Sequence, residues 1–359
     1  MEPLKDMFNA AYYHLLAEQL KSLVPTLNKK HFVDEAFRDL DKRSLNERLR
    51  YTSLVLHRFI PGSFGEQLKT LYPLAKKMPS GYTALVYPDF VAQFGLQDPK
   101  RSLPALKYFT VFGSSEFAIR FFLKEDLDAT LKVMESWSKD TDPHVRRLAS
   151  EGSRPRLPWS FKLDAVIKNP ALTATILENL KSDAELYVRK SVANHLNDLS
   201  KDQREYMLSI ISKWDLDDPH TGWIVKHAAR TLVKKGDQAA LKVLRFDTSP
   251  AAEIMDFKLS ANVRLGEKLE FSFRIQSLKK TSQRLVIDYC IHYVRENERK
   301  SAKVFKLKNI DLQGNEGREM ARAQTIKDFS TRTHHAGKHL LELLVNGRVL
   351  ASKAFLLEK

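Results

Sequence analysis

Glu151 ends the apolar-periodic stretch "DPHVRRLASEG" at what would be the partially negative end of a helix, the less favourable place for a carboxylate. Arg154 and Arg156 follow on either side of Pro155, and Pro158 leads into Trp159. These types suit one kind of chemistry. A carboxylate can stabilise a cation or position a water, an indole face favours a nearby cation, and arginines hold phosphates. Pro155 and Pro158 favour an extended backbone on which Arg154 and Arg156, two residues apart, point the same way. Two more acids are candidates: Glu116 in "SSEFAIRFFL" and Asp198 in "VRKSVANHLND". Each has a plain alternative: an acid at a helix N-terminus for Glu116, an i,i+4 ion pair with Arg147 for Glu151, and a hydrogen bond within a polar stripe for Asp198. Trp159 has the alternative of a core residue. A residue that breaks a local rule is nevertheless where function is expected.

The elements that must position these residues change character near residue 250. Before it, segments such as "DLDATLKVMESW" and "REYMLSIISKW" carry apolar residues at helical spacing. Three of them, "DPHVRRLASEG", "DAELYVRKSVANHLND" and "DPHTGWIVKHAARTLVKKGD", align on Val145, Val188 and Val225. A period of about 40 residues matches stacked antiparallel helix pairs, so we expect an α-helical HEAT-like repeat solenoid over residues 1–245. Val188, Val192 and Leu196, and later Val225, Ala228, Ala229 and Leu232, form inward stripes. Arg146 and Arg147, then Arg189, Lys190, Asn194, Asn197 and Asp198, then Lys226, Arg230 and Lys234, fall on the polar side. Stacked in register, such stripes would line a wall with cations; for any one helix, plain solvation explains them as well.

After residues 246–255, expected to be a linker, alternation takes over. Leu285, Ile287, Tyr289, Ile291 and Tyr293 share a face, as do Leu269, Phe271, Phe273 and Ile275. Asn346-Gly347 between two apolar runs signals a tight hairpin. Residues 256–359 are therefore expected to form a small all-β immunoglobulin-like sandwich.

A net charge of +15 favours a polyanion as partner, and duplex DNA, with its dense phosphates, suits rows of Lys and Arg. The basic segments "LKKTSQR" and "RENERK" would allow the strand-rich part to touch DNA too. The single cysteine, Cys290, excludes an internal disulfide and points to a reducing compartment. No apolar leader or membrane-spanning run is evident, so the expected setting is cytoplasmic and the default state a monomer. His334, His335 and His339 lack Cys or carboxylate at ligand spacing and read as exposed loop histidines. No glycine-rich phosphate loop, HExxH or CxxC occurs, and no metal or cofactor is expected.

"EPLKDMFN", "SSEFAIRFFL", "ASEGSRPRLPW" and "VRKSVANHLNDLSK" closely resemble the AlkC family of bacterial DNA glycosylases, relatives of the AlkD group. The resemblance covers roughly the first 245 residues, and the tail looks like the immunoglobulin-like domain of many members. It implies hydrolysis of the N-glycosidic bond of bases alkylated at N3, chiefly 3-methyladenine and 3-methylcytosine, with the lesion left in the duplex. It also implies that Glu116, Glu151 and Trp159 share an active-site cleft, with Asp198 the next candidate, and that the substrate is double-stranded DNA carrying alkylated bases. In that chemistry a carboxylate stabilises the oxocarbenium-like sugar and positions water. A non-catalytic nucleic-acid-binding or protein-scaffold module is the alternative; acids in a basic groove repel phosphate and argue against it.

Overall fold

The structure, a computed structural model, describes residues 3–295, 300–329 and 333–359. Two compact units account for the chain: residues 1–203 with 217–224, and residues 204–216 with 225–359.

The first unit is helical. Its helices start on short polar caps: Asn9, Asn28, Asp98 and Asp126 each accept a backbone N–H of the first turn. The Pro143–Gly152 helix shows the pattern at full strength. Asp142 accepts from His144 N at 2.7 Å, Pro143 occupies the first position, and Val145, Leu148 and Ala149 turn inward. This helix lies against the Leu186–Asp202 helix, whose Val188, Val192 and Leu196 are fully buried. At its other contact Gly152 packs on the Ile119–Glu125 helix, where a Cβ would stand 2.5 Å from Ile119 Cγ2. The expected inward stripes are confirmed, including Val225, Ala228, Ala229 and Leu232. The polar stripe is not uniformly solvated: Asn197 and Asp198 are buried, because the helix is covered on more than one side.

Among its described residues the second unit contains the Arg204–Ile211, Arg230–Lys234 and Gln238–Val243 helices and eight strands. They are β1 (Ala252–Leu259), β2 (Asn262–Arg264), β3 (Lys268–Ser277), β4 (Gln283–Val294), β5 (Lys300–Leu312), β6 (Gly317–Thr325), β7 (Gly337–Val345) and β8 (Arg348–Glu358). One sheet has the order β1-β3-β6, the other β2-β8-β7-β4-β5. Between them lies an apolar core built from the alternating residues named above, joined by Leu341, Leu343 and Val345 from β7. The same alternation carries His339 inward. It is buried against Phe355 and Tyr293, and His334 is buried beside Tyr293, so neither is the exposed loop histidine expected.

Residues 246–255 are hydrogen-bonded to the sandwich rather than free of it. Asp247 pairs with Lys279 at 2.6 Å, donates its N–H to the Arg284 carbonyl and accepts the Arg284 N–H on its carboxylate, and β1 begins at Ala252. The Asn346-Gly347 hairpin forms as expected, both residues having positive φ. Its tip packs backbone to backbone on Gly236: a Cβ on Gly347 would lie 2.1 Å from Gly236 Cα. Gly347→Ala therefore combines a strained φ of +78° with a clash that has no soft neighbour to yield. It should lower the thermal unfolding midpoint by an amount corresponding to about 2 kcal/mol or more, measured by calorimetry. A midpoint equal to wild type would show that the hairpin tip is not held against the 236 turn.

Candidate active site

Glu116 sits in the turn before the Ile119–Glu125 helix, and Glu151 is the penultimate residue of the Pro143–Gly152 helix. Arg147, one turn before Glu151, joins them. Its guanidinium bonds Glu116 Oε2 and Ser114 Oγ, reaches Glu151 Oε1 at 3.6 Å, and lies over the Tyr187 ring. The other Glu151 partner is Arg154, which donates to its Oε1 at 2.6 Å and to Asp198 Oδ2 at 2.8 Å. Glu151, Arg154 and Asp198 are all buried. Desolvation works against the charge on Arg154 and on Arg147, yet the neighbouring carboxylates outweigh it and hold both above the usual arginine pKa. Among the described residues no protein donor reaches Glu116 Oε1 or Glu151 Oε2, so each acid keeps one oxygen for something else.

The turn after Glu151 departs from the expected extended backbone. Residues 152–160 fold into consecutive turns, and the two arginines separate: Arg154 goes inward, while Arg156 forms a bidentate pair with Asp202. The cause is Arg120, which sequence reasoning passed over. Completely buried, it donates to the carbonyls of Gly152 and Arg154 at 3.0 and 2.7 Å and to that of Phe161, gathering the turn around one guanidinium. Burial and the nearby Arg154 pull its pKa down to about 10, which leaves it charged at neutral pH. Trp159 is carried outward. It has a left-handed φ of 64° and is 72% exposed, which rules out the core-residue alternative. Such strain concentrates at functional positions. Trp159, Glu116, Glu151, Arg147, Arg154, His144 and Tyr187 line a cleft of about 540 Å³. Asp198 stands behind it, reaching the cleft through Arg154.

The residues expected to hold phosphate divide. Arg146 is committed to Asp183 and to the carbonyls of Asp140 and Thr141; Arg189 donates to the carbonyls of Asp183 and Ala184. In both repeats the first basic residue after the valine thus reaches back five and six residues to fasten the preceding loop, which the shared spacing could have signalled. Lys190 and Lys226 are exposed; Asn194 and Arg230 are half-buried, and Arg230 donates to the His227 carbonyl. In "LKKTSQR", Lys279 pairs with Asp247 and Arg284 covers Phe246. Residues 296–299 of "RENERK" lie outside the described residues. No described helix is long and apolar enough to cross a membrane.

Comparison with known proteins places the chain in a family. Residues 106–234 match the family model described as DNA alkylation repair enzyme, and residues 253–359 match the C-terminal Ig-like domain of the uncharacterised protein YhaZ. The chain is 38% identical over 99% of its length to the uncharacterized protein YhaZ of Bacillus subtilis (strain 168), covering 99% of that protein. It is also 44% identical, over all of both chains and with a TM-score of 0.96, to Pseudomonas fluorescens alkylpurine DNA glycosylase AlkC, solved bound to DNA containing an abasic site analog. The chain belongs to the AlkC family of DNA alkylation repair proteins. The AlkC-like helical repeats and the Ig-like sandwich expected from the sequence are both present.

One buried group supports the cleft from behind. His195 is wholly buried and bridges Ser150 O at 3.1 Å and Thr173 Oγ1 at 3.2 Å, bracing the helix that carries Glu151. Burial lowers its pKa from 6.5 to about 4. Between those values the unfolded chain binds a proton that the folded chain refuses, so this group favours folding above about pH 6.5 and loses that effect as pH falls toward 4. The difference is roughly 3 kcal/mol. His195→Gln should flatten the decline of the unfolding midpoint between pH 6.5 and 4.5, whatever it costs at neutral pH; an unchanged pH profile would mean that His195 takes up its proton alike in the folded and unfolded chains.

Proposed function

We propose that the protein is a DNA glycosylase that hydrolyses the N-glycosidic bond of cationic N3-alkylated bases, 3-methyladenine and 3-methylcytosine, in duplex DNA. The observation that carries this reading is the convergence of Glu116 and Glu151 on one cleft with an exposed indole, in a chain whose net charge is +15. A simple DNA binder gains nothing from acids at its contact surface. An N3-alkylated base is already positive and departs without protonation: the C1′–N bond breaks, its electron pair neutralises the base, and cationic character builds on the sugar. A fixed carboxylate stabilises that cation, and water adds to C1′ while losing its proton to a carboxylate or to solvent. Trp159 offers its face to the sugar. The reaction is read as attack on a nucleotide left in the duplex, with the exposed face of Trp159 open to it.

Glu116→Gln and Glu151→Gln keep an oxygen that can accept from Arg147 and Arg154, so the cluster should still assemble. Each should lower the single-turnover release of 3-methyladenine by about 100- to 1,000-fold, while affinity for duplex DNA holds or rises. Trp159→Ala should act in the same direction with a smaller effect and no loss of stability. Wild-type release by both Gln variants would remove the two acids from catalysis. Duplex binding without any base release by the wild-type protein would leave the non-catalytic reading.

Phosphate contacts fall to residues whose side chains are free of structural work. Lys190→Ala should reduce the slope of log K against log salt by about 0.9, whereas Arg189→Ala should chiefly loosen the 183–184 loop. Equal slopes for Lys190→Ala and wild type, measured by fluorescence anisotropy on a short duplex, would take Lys190 off the DNA face.

A further inference from the structure

In the Ig-like sandwich the alternation of β4 that sends Leu285 to Tyr293 into the core sends Cys290 and His292 to the opposite face. On the neighbouring strand β7, Glu342 is the direct cross-strand partner of Cys290 and lies diagonal to His292. Their donor atoms converge: His292 Nε2 is 2.8 Å from Glu342 Oε2 and 3.7 Å from Cys290 Sγ, and all three lie within 4.8 Å of one another. We propose that Cys290, His292 and Glu342 form a binding site for a borderline-soft divalent cation, zinc first among them.

Several observations support a cation rather than a bare His–Glu pair. Thiol, imidazole and carboxylate together are the donor set that zinc prefers. Tetrahedral zinc at ordinary bond lengths separates its ligand atoms by about 3.4–3.6 Å. The sulfur–nitrogen distance already matches, and the nitrogen–oxygen distance needs to open by roughly half an ångström, within reach of side-chain torsions. The strands that carry the three ligands are central in a five-stranded sheet and fixed by their own ladder, so the site is preformed. With three protein ligands, water or an outside donor completes the shell. Glu342 lies 50 residues beyond His292, which is why no metal-ligand spacing shows in the sequence. The proposal is independent of the glycosylase reading, whose acids lie in the other compact unit.

Cobalt reports the site directly. Chelator-treated full-length protein titrated with Co²⁺ should develop a thiolate-to-cobalt charge-transfer band that saturates at one ion per chain, and zinc should abolish it. Because Cys290 is the single cysteine, the band has one possible source. Cys290→Ser should remove it, and His292→Ala and Glu342→Gln should each weaken zinc binding at least tenfold, measured by calorimetry. Zinc should also raise the unfolding midpoint of the wild type but not of Cys290→Ser. Absence of the band in folded wild-type protein would overturn the proposal, as would zinc affinity unaltered in all three variants. The wild-type spectrum decides the question even if a variant fails to fold.

Discussion

The arrangement of the cleft depends on one buried cation. Arg154 lies between Glu151 on one helix and Asp198 on the next, with all three side chains removed from solvent. A guanidinium so placed needs acceptors on both sides, and the buried acids in turn need its donors. The interaction therefore sets the separation and register of the Pro143–Gly152 and Leu186–Asp202 helices. It also decides where the 152–160 turn can go, since Arg154 has to enter the interior before Trp159 can leave it. Arg120 completes the constraint from beneath by holding the carbonyls of Gly152, Arg154 and Phe161.

How much of this could be read in the sequence follows from what a local pattern encodes. The strands and the Asn346-Gly347 hairpin were legible because alternation and positive φ are local requirements, met by the residues themselves. The helical stripes were legible for the same reason. Glu151 and Trp159 announced themselves as misfits, an acid at the wrong helix end and an indole on a proline-bounded turn. The partners of the arginines were not legible. Their charge suggests phosphate, but Arg146, Arg154 and Arg189 satisfy carbonyls and carboxylates brought close by folding, and Arg156 turns to Asp202. Arg120 and His195 broke no local rule and so gave no signal, although the position of the turn and of the Glu151 helix depends on them.

Three carboxylates and three arginines make a cluster close to neutral, and that neutrality has a chemical use. Carboxylates alone beside a phosphate chain would be repelled or driven to bind protons. On the reading proposed above, the pairing with Arg147 and Arg154 holds them fixed at the cleft. The arginines are themselves anchored, so they cannot swing to follow the substrate, and the field at the cleft is preorganised rather than induced. When positive charge develops on a sugar, Glu116 Oε1 and Glu151 Oε2 are the acceptors not already occupied by protein donors among the described residues. Because the cation appears only as the bond breaks, the stabilisation they give is realised in the transition state more than in the bound lesion. On that reading the same geometry would let the acids sit in a basic protein that binds DNA, because each has its charge largely answered from within by Arg147 or Arg154.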